Sequence, residues 1–429
     1  MSSDYPNKIV TAVIVGAGNR GQIYASFAKV HPQKFKVVAV ADPRKFARAL
    51  IQKEYNLQNN HVFEDFQDIL KLDKLADCVV IATPDTLHKE PAVGFANKGY
   101  NVLLEKPMAV TEEDCKAICA ACKKNNVILA VGHVLRYFPP FQKIKELIDS
   151  GIIGEVVNIQ LHEPVGWFHF AHSYVRGNWN REDNSTFVLM AKCCHDIDLL
   201  VWWLGDQRCT KISSFGSLFH FRKDKKPEGA SSRCLDCSVE GDCAYSAKKV
   251  YLERVKQGMT GWPVSIICEE PSIKSVTKAL KEGPYGRCVY DSDNDVCDNQ
   301  VVNLEFAGGQ TASFSMVAFT EKVCERQVKI FGTKGELTYN GSGPVYRFDF
   351  NSKEISVHSA APSTINAGQL SGHGGADYYL IDSFVCAVAE NDTSKVLTGP
   401  DVSLRSHLLV FRAEQARQEN RVIFPQDHH

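Results

Sequence analysis

A glycine-rich turn near the start of the chain has the residue types and the spacing of a nucleotide-binding site. It lies between an apolar run at 8–15 and a helix-forming run at 22–30. The first two glycines of such a turn let backbone N–H groups approach a pyrophosphate, and the third lets the following helix pack close against the strand. The predicted phosphate-binding residues are Gly16, Ala17, Gly18, Asn19, Arg20 and Gly21.

A second apolar run, at 35–41, ends in an acidic residue that can select the nucleotide. Asp42 lies 21 positions after Gly21, where a carboxylate accepts hydrogen bonds from an adenosine ribose. This carboxylate would repel a 2′-phosphate and therefore favours NAD, whereas Arg44 leaves NADP open. We expect both side chains at the ribose of a dinucleotide.

A lysine that could take part in catalysis follows the apolar run at 101–104, in the sequence Glu105-Lys106-Pro107. Ligands of a doubly wound sheet bind beyond the carboxyl ends of its strands, so Lys106 is expected beside the reactive half of the cofactor. Its ammonium group could hold a substrate oxygen and take part in proton transfer. The competing interpretation is a surface lysine that forms an ion pair with Glu105.

Four cysteines in a polar segment have the spacing of metal ligands. Cys234 and Cys237 form a CxxC pair, Cys243 follows six positions later, and Cys288 is the predicted fourth ligand. Four thiolates around a structural zinc ion would fold a segment that is too polar to form its own core. An iron–sulfur cluster and a pair of disulfides are the other interpretations. The alternative fourth ligands are Cys268 and Cys297.

Two further segments carry side chains suited to a sugar. Residues 167–179 combine aromatic rings with histidines, an arginine and an asparagine, and the expected substrate contacts are His172, Tyr174 and Arg176. An oligomer interface would have a similar composition. His373 lies in a glycine-rich loop where the backbone can approach a ligand and the imidazole can carry a proton, unless it is simply an exposed histidine at a helix entry.

The order of apolar runs and helical stretches predicts the elements that position these residues. Strand-like and helical runs alternate up to residue 131, which indicates an α/β Rossmann domain with a doubly wound parallel sheet. Beyond Gly132, polar and apolar residues alternate within longer strands, as in a large, mostly antiparallel open sheet. We expect the Rossmann domain at 1–133 and an α+β substrate and oligomerisation domain at 134–429, with a Cys-rich insertion near 222–297.

Composition excludes several classes of partner. The 429 residues are 44% hydrophobic, and 49 basic residues balance 50 acidic ones, so nothing favours a nucleic acid or an anionic membrane. The first eight residues lack the apolar core of a signal peptide, and no run is long enough to span a bilayer. The fifteen cysteines include several in apolar contexts, as free thiols are, and a cytoplasmic location is expected.

Together these motifs resemble the Gfo/Idh/MocA oxidoreductases, the family of glucose–fructose oxidoreductase and inositol dehydrogenase. The resemblance covers essentially the whole chain and includes the segments at 83–88, 151–155 and 195–200. It implies NAD(H) or NADP(H), hydride transfer at a secondary hydroxyl of a sugar or cyclitol, and a homo-oligomer, dimer or tetramer, formed through the C-terminal sheet. The resemblance adds to the cofactor site Thr83, Pro84, His88 and Glu105.

The resemblance also implies that Lys106 is the catalytic lysine and that His195 relays the substrate proton. Many dehydrogenases of the family carry Asp-x-Gly-x-His, but here Ala191 and Cys193 occupy the aspartate and glycine positions. Lys192, the neighbouring aspartate or a tyrosine could replace the missing partner of His195. We also expect Lys192 and His195 to contact the substrate. Without the resemblance, His195 would be interpreted as a structural histidine at a helix start.

We therefore expect an NAD(P)-dependent oxidoreductase that acts on a carbohydrate or cyclitol hydroxyl. One alternative is a redox glycosidase with a tightly bound, recycled NAD, because residues 372–375 are similar to the Gly-His-Gly-Gly motif of a glycosidase branch of the superfamily. The second alternative is a protein that binds the nucleotide as a sensor or scaffold and does not turn over.

Overall fold

The computed structural model describes residues 8–360 and 368–425, and its first half is built around a six-stranded parallel sheet. The strand order β3-β2-β1-β4-β5-β6 is that of a Rossmann fold. The central strands are buried throughout because helices cover both faces, which is why they read as continuous apolar runs. The strands are β1 Val10–Val15, β2 Phe35–Ala41, β3 Val62–Phe63, β4 Cys78–Ile81, β5 Asn101–Leu104 and β6 Leu129–Val131.

Helices flank this sheet in the predicted alternation. The helix start expected at Thr111 is confirmed, because the threonine hydroxyl accepts a hydrogen bond from the Asp114 N–H at 3.2 Å. Three acidic residues in the first turn also favour the positive end of this helix dipole. The helices are α1 Asn19–Ala25, α2 Phe27–Val30, α3 Lys45–Tyr55, α4 Phe66–Leu70, α5 Lys89–Asn97, α6 Glu112–Lys124 and α7 Pro139–Asp149.

The second half contains an eight-stranded sheet of order β14-β13-β12-β11-β7-β10-β9-β8. All neighbouring strands are antiparallel except β7 and β10, which confirms the mostly antiparallel sheet. Burial alternates along β9 and β11, so one face packs on the core and the other is open. The strands are β7 Val156–Pro164, β8 Cys209–Ser217, β9 Asn299–Phe306, β10 Thr311–Val317, β11 Gln327–Gly332, β12 Gly335–Tyr339, β13 Val345–Asp349 and β14 Ile355–His358.

The last two helices return to the nucleotide-binding half. The Met108 N–H donates to His407 Nε2 at 2.8 Å, and the Val131 N–H donates to Thr398 O at 3.0 Å. The C-terminal segment thus closes against the ends of β5 and β6. The helices of this half are α8 Trp167–Phe170, α9 Val188–Ala191, α10 Cys194–Leu204, α11 Glu253–Lys256, α12 Val264–Ile267, α13 Ile273–Glu282, α14 Ala376–Glu390 and α15 Pro400–Glu419.

The Cys-rich insertion lies between β8 and β9 and carries a small apolar core separate from the two large ones. The fifteen cysteines all lie within the described residues, and none of them forms a disulfide. Within 8–360 and 368–425, no helix has both the length and the apolar character to cross a bilayer. The expectation about a signal peptide concerns residues 1–8, and the first seven of these lie outside the described residues.

Candidate active site

Two of the three glycines in the turn between β1 and α1 are required by close packing. Gly16 has φ +90°, and a Cβ there would lie 2.5 Å from the carbonyl oxygen of Ala82. A Cβ at Gly21 would lie 2.0 Å from the carbonyl oxygen of Gly16. Side chains at these two positions would therefore collide with fixed backbone.

Gly18 differs, because its surroundings are open. The neighbour of a Cβ at this position would be the end of the Arg44 guanidinium, at 3.3 Å. The backbone of Gly18 is extended and of ordinary geometry. The glycine therefore leaves space beside the turn, as a pyrophosphate at the start of α1 requires.

Asp42 supports the turn from the end of β2. Its carboxylate accepts hydrogen bonds from the Ala17 N–H at 2.7 Å and from the Arg44 N–H at 2.8 Å. The Arg44 guanidinium adds two charge-assisted bonds at 2.9 and 3.0 Å. Burial favours the neutral acid, but these hydrogen bonds outweigh it and lower the pKa of Asp42. The aspartate is thus ionised and partly neutralises the arginine.

The carboxyl ends of β1 and β4 meet at the point where the strand order reverses, which is where this fold binds its ligands. Half-buried Thr83 and exposed Pro84 follow β4 beside the glycine turn. His88 is buried, and its ring nitrogens lie 2.7 Å from the Pro107 carbonyl and 3.0 Å from the Thr83 carbonyl. The side chain of His88 thus joins the segments after β4 and β5.

Lys106 lies beyond β5 and reaches across to the second half of the chain. Its Nζ donates a hydrogen bond to the main-chain carbonyl of Ala191 at 2.7 Å. Ala191 stands where many dehydrogenases of the resembled family carry aspartate, and it contacts the ammonium group through its main chain. The interpretation of Lys106 as a mere surface partner of Glu105 does not fit, because that carboxylate has other partners.

Arg20 joins the turn to the rest of the site through its side chain. Its guanidinium contacts Glu105 at 2.6 Å and both oxygens of Asp377 at 2.9 and 3.0 Å. Burial favours neutral Asp377, but Arg20 and His373 outweigh it and hold the pKa of this carboxyl well below its usual range. Asp377 in turn lies 3.1 Å from His373 Nδ1. This chain of contacts, with Glu105 and Asp377 buried, joins the end of β5 to the glycine-rich loop.

His195 lies at the start of α10 and is available as a proton acceptor. It is 5% exposed, and its Nδ1 has no hydrogen-bond partner among the described residues. The rings of His133 and His373 lie 5.6 and 6.4 Å from its own ring. Burial, together with the nearby Lys106 charge, lowers the pKa of His195 well below its ordinary value. The imidazole is therefore neutral at pH 7.

His133 is a site neighbour that no sequence motif singled out. It is 1% exposed, and neither ring nitrogen has a partner within the part of the chain that the structure describes. It lies between His195 and His407, with ring centroids 5.6 and 5.1 Å away. His407 has a fixed tautomer, because its Nε2 accepts from Met108 and its Nδ1 donates to Ser403 O at 2.7 Å.

Lys192 is not free to bind a substrate as the sequence predicted. Its Nζ lies 3.4 Å from buried Glu163 and 2.9 Å from the Cys324 sulfur. Arg326 completes this group, at 3.1 Å from Glu163 and 2.7 Å from Asp196. Two basic and two acidic side chains thus compensate each other beneath the start of α10. Two of the three replacements suggested for the absent aspartate, Lys192 and Asp196, are held in this group.

Asp198 has a structural role. It forms a two-pronged ion pair with Arg136 at 2.7 and 2.8 Å, and both side chains are almost fully buried. The pair connects α10 to the segment after β6. A second contact, Arg136 to the Leu397 carbonyl at 3.0 Å, extends the connection to the C-terminal helices.

The expected sugar contacts at 172–176 require a correction. His172 is 3% exposed, with its Nδ1 2.8 Å from the Tyr251 hydroxyl and its ring stacked on Tyr285. Arg176 donates to the carbonyls of Arg287 and Tyr245, each at 2.8 Å. Both side chains thus point into the Cys-rich insertion, where they contact its aromatic rings and main-chain carbonyls.

Tyr174 and Trp179 hold the segment at 167–179 close to the carboxyl end of β4. Tyr174 is buried against Phe170, with its ring also 6.0 Å from Trp179. The Trp179 indole donates to Asp85 at 2.8 Å, directly after Thr83-Pro84. The segment at 167–179 therefore packs beside the strand ends, although its polar groups serve mainly to position it.

The four predicted metal ligands do come together around one cavity of about 280 Å³. Cys234 and Cys288 are buried, and Cys237 and Cys243 are half-buried. However, no three His, Cys, Asp or Glu side chains of residues 8–360 and 368–425 are arranged to hold a metal ion. A single zinc ion, which gathers four sulfurs at about 2.3 Å, is therefore not supported by this geometry.

Comparison with known proteins agrees with the fold and the nucleotide turn. A family model described as "Oxidoreductase family, NAD-binding Rossmann fold" matches residues 10–133. A second model, "Oxidoreductase family, C-terminal alpha/beta domain", matches residues 145–423. Both models describe the Gfo/Idh/MocA oxidoreductases.

Individual relatives agree over different lengths. YteT of Bacillus subtilis, named as an oxidoreductase, is 26% identical over 86% of this chain and 87% of its own length. The 2,7-anhydro-N-acetylneuraminate hydratase of Escherichia coli is 31% identical over 48% of this chain and 53% of its own. A levoglucosan dehydrogenase solved with NADH superimposes with a TM-score of 0.71 at 16% identity, covering 98% of this chain and all of that one.

Proposed function

This chain belongs to the Gfo/Idh/MocA oxidoreductase family, and we propose that it transfers hydride between NAD and a secondary hydroxyl of a sugar, sugar derivative or cyclitol. The observation that carries the proposal is that Lys106, which follows β5, binds the Ala191 carbonyl close to buried His195, whose pKa its charge helps to lower. In this proposal, residues 1–133 bind the nucleotide and residues 134–429 bind the substrate.

Lys106 and His195 have different roles at the substrate hydroxyl. The chemistry that a bound nicotinamide would supply is the acceptance of hydride from the substrate carbon. The Lys106 ammonium donates a hydrogen bond to the substrate oxygen in place of its present bond to the Ala191 carbonyl. His195 accepts the hydroxyl proton, because its low pKa keeps the imidazole unprotonated at neutral pH. His373, oriented by Asp377, borders the same space.

The chain's residues fit NAD better than NADP. The open side of Gly18 and the N–H groups at the start of α1 would hold the pyrophosphate. Asp42 is ionised and occupies the end of β2, where it would accept from ribose hydroxyls and repel a 2′-phosphate. Arg44 is engaged by Asp42, so little of its charge is left to attract that phosphate.

A second candidate function rests on the hydratase relative. A hydratase adds or removes water without net oxidation, so its place in an NAD-binding family suggests that the cofactor is recycled within one turnover. The redox glycosidase alternative has the same requirement, and His373 would then serve as a further acid or base. Both candidates use a hydroxylated ring substrate, which the names of the hydratase and the levoglucosan dehydrogenase also suggest.

We further propose a homo-oligomer and a cytoplasmic location. The open face of the large sheet exposes Val157, Phe215 and Val301, which a second copy of the sheet would cover. Free thiols throughout the chain suit a reducing compartment.

Nucleotide release and hydride transfer test the proposal together. The protein as purified is denatured, and any released nucleotide is identified. Native protein with added NAD is then incubated with sugars, cyclitols, anhydro sugars and aryl glycosides, while reduced nicotinamide and product release are followed. Net NADH formation with a hydroxylated substrate supports the dehydrogenase.

The other results separate the alternatives. Product release with retained NAD and no net reduction supports the recycling enzyme instead. Protein that binds NAD but changes no member of the panel under either readout contradicts both enzymatic functions and favours a sensor or scaffold.

A further inference from the structure

The cavity in the Cys-rich insertion has the features of a metal-cluster site distinct from the nucleotide site. Cys234, Cys237, Cys243 and Cys288 all line it. The chain brings them together from two distant segments, because an isolated antiparallel bridge pairs Arg233 with Arg287. That bridge, reinforced by the Cys288 N–H bond to Ser232 O at 2.8 Å, sets Cys234 beside Cys288.

An arginine without its full set of partners points to an anionic occupant. Arg176 also lines the cavity and is 3% exposed. One terminal nitrogen donates to the Tyr245 carbonyl and lies 3.4 Å from the Cys234 sulfur. The other terminal nitrogen has no hydrogen-bond partner among the described residues. A buried guanidinium strongly favours a negative charge at this position, which thiolates bound to a metal supply.

The arrangement of the thiols favours a cluster over one ion, because no three His, Cys, Asp or Glu side chains of the described residues are grouped to hold a metal ion. The thiols border a cavity of about 280 Å³, whereas a tetrahedral zinc ion would draw their sulfurs to about 2.3 Å from its centre. We propose that Cys234, Cys237, Cys243 and Cys288 ligate a four-iron, four-sulfur cluster. Ferric and ferrous ions in equal number are taken up together with sulfide, so that no net electron transfer is required, and each thiol releases its proton to solvent as its sulfur bonds to iron.

The cluster would stabilise the insertion and, through it, the segment beside the active site. The local apolar core is small, and such segments commonly need a metal or disulfides to fold. Tyr251 and Tyr285 of the insertion hold His172, and Arg176 joins the same segment to the cavity. The proposal gives the cluster a structural role and is independent of the substrate of the nucleotide site.

Metal and sulfide analysis of the full chain tests this directly. Protein is purified without oxygen, and iron, acid-labile sulfide and zinc are measured per chain, with visible absorption and electron paramagnetic resonance after reduction. We expect about four iron and about four sulfide ions per chain. One zinc without sulfide, or protein that takes up neither iron nor sulfide on anaerobic reconstitution, would overturn the proposal.

A matched pair of variants identifies the ligands. Cys237→Ser removes a thiol that lines the cavity, and Cys268→Ser removes a half-buried thiol of the same insertion that contacts Ser275. We expect Cys237→Ser to lose most of its iron while Cys268→Ser keeps the wild-type amount. Equal iron content in the two variants would contradict the assignment, and NAD binding measured on the same samples reports separately on the nucleotide site.

Discussion

Alanine at Gly16 should destabilise the protein before any ligand is involved. A non-glycine residue at φ +90° pays a backbone cost of about 1–2 kcal/mol. The new Cβ would also lie 2.5 Å from the Ala82 carbonyl oxygen and 2.9 Å from the Thr83 nitrogen. These atoms follow a central strand held on both sides, so overpacking adds about 1–3 kcal/mol. We expect Gly16→Ala to lower the free energy of unfolding by about 2–5 kcal/mol.

Gly18→Ala is the matched control, with the opposite expectation. Gly18 has φ −73° and ψ −166°, which alanine adopts without strain. Its Cβ would meet the end of the Arg44 side chain, which is 61% exposed and can move aside. The free energy of unfolding should therefore change by less than about 1 kcal/mol. The methyl group occupies the space left for the pyrophosphate, so NAD affinity should fall at least about tenfold.

Two measurements on each variant separate these effects. Urea unfolding of nucleotide-free protein gives stability, and calorimetric titration with NAD gives affinity. A Gly16→Ala protein as stable as wild type would refute the packing argument. A Gly18→Ala protein that binds NAD with wild-type affinity would refute the assignment of this turn to the pyrophosphate.

Three further predictions concern selectivity and buried charge. Asp42→Ala should weaken NAD binding about tenfold and reduce the ratio of NAD affinity to NADP affinity, both measured by titration. An unchanged ratio would contradict the assignment of Asp42 to the ribose. Arg136→Met should lower the free energy of unfolding, measured with urea, by about 3–5 kcal/mol because it leaves Asp198 charged and buried without its partner. The double variant Arg136→Met/Asp198→Asn should recover part of this loss. A double variant no more stable than Arg136→Met would argue against the ion pair. Burial lowers the pKa of His172 and of His407 to about 3 in the folded protein, whereas both histidines bind a proton below about pH 6.5 in the unfolded chain. The free energy of unfolding should therefore fall by about 2 kcal/mol per histidine between pH 8 and pH 5. An unchanged pH dependence of this free energy after substitution of both histidines would contradict the prediction.

The Rossmann sheet could be predicted from the sequence because each of its main strands is a short apolar run buried on both faces. The observed β2 at Phe35–Ala41 and β5 at Asn101–Leu104 lie where these runs are. The glycine turn could also be predicted, because the roles of Gly16 and Gly21 follow from local backbone geometry. By contrast, β12 to β14 have alternating burial and half-exposed edges, and their weaker pattern did not identify them.

The charge networks of the site could not be predicted, because they join residues far apart in the chain. Arg20 was predicted to lie at the cofactor, but its side chain binds Asp377, which is 357 positions away in the chain. Arg176 was expected at a sugar, but the fold directs it to carbonyls of the insertion. Nothing in the sequence around Glu163 or Arg326 indicates that these two charges would be buried together.

The central claim is that Lys106 and His195 form a hydride-transfer site, and Lys106→Met tests it most directly. Methionine keeps the length of the side chain but removes the charge that now binds the Ala191 carbonyl. NAD affinity and turnover are measured on the variant, with Lys71→Met, an exposed lysine, as the control. We expect NAD affinity within about threefold of wild type and turnover reduced at least about 100-fold. Unchanged turnover with the substrate of the wild-type protein would contradict it.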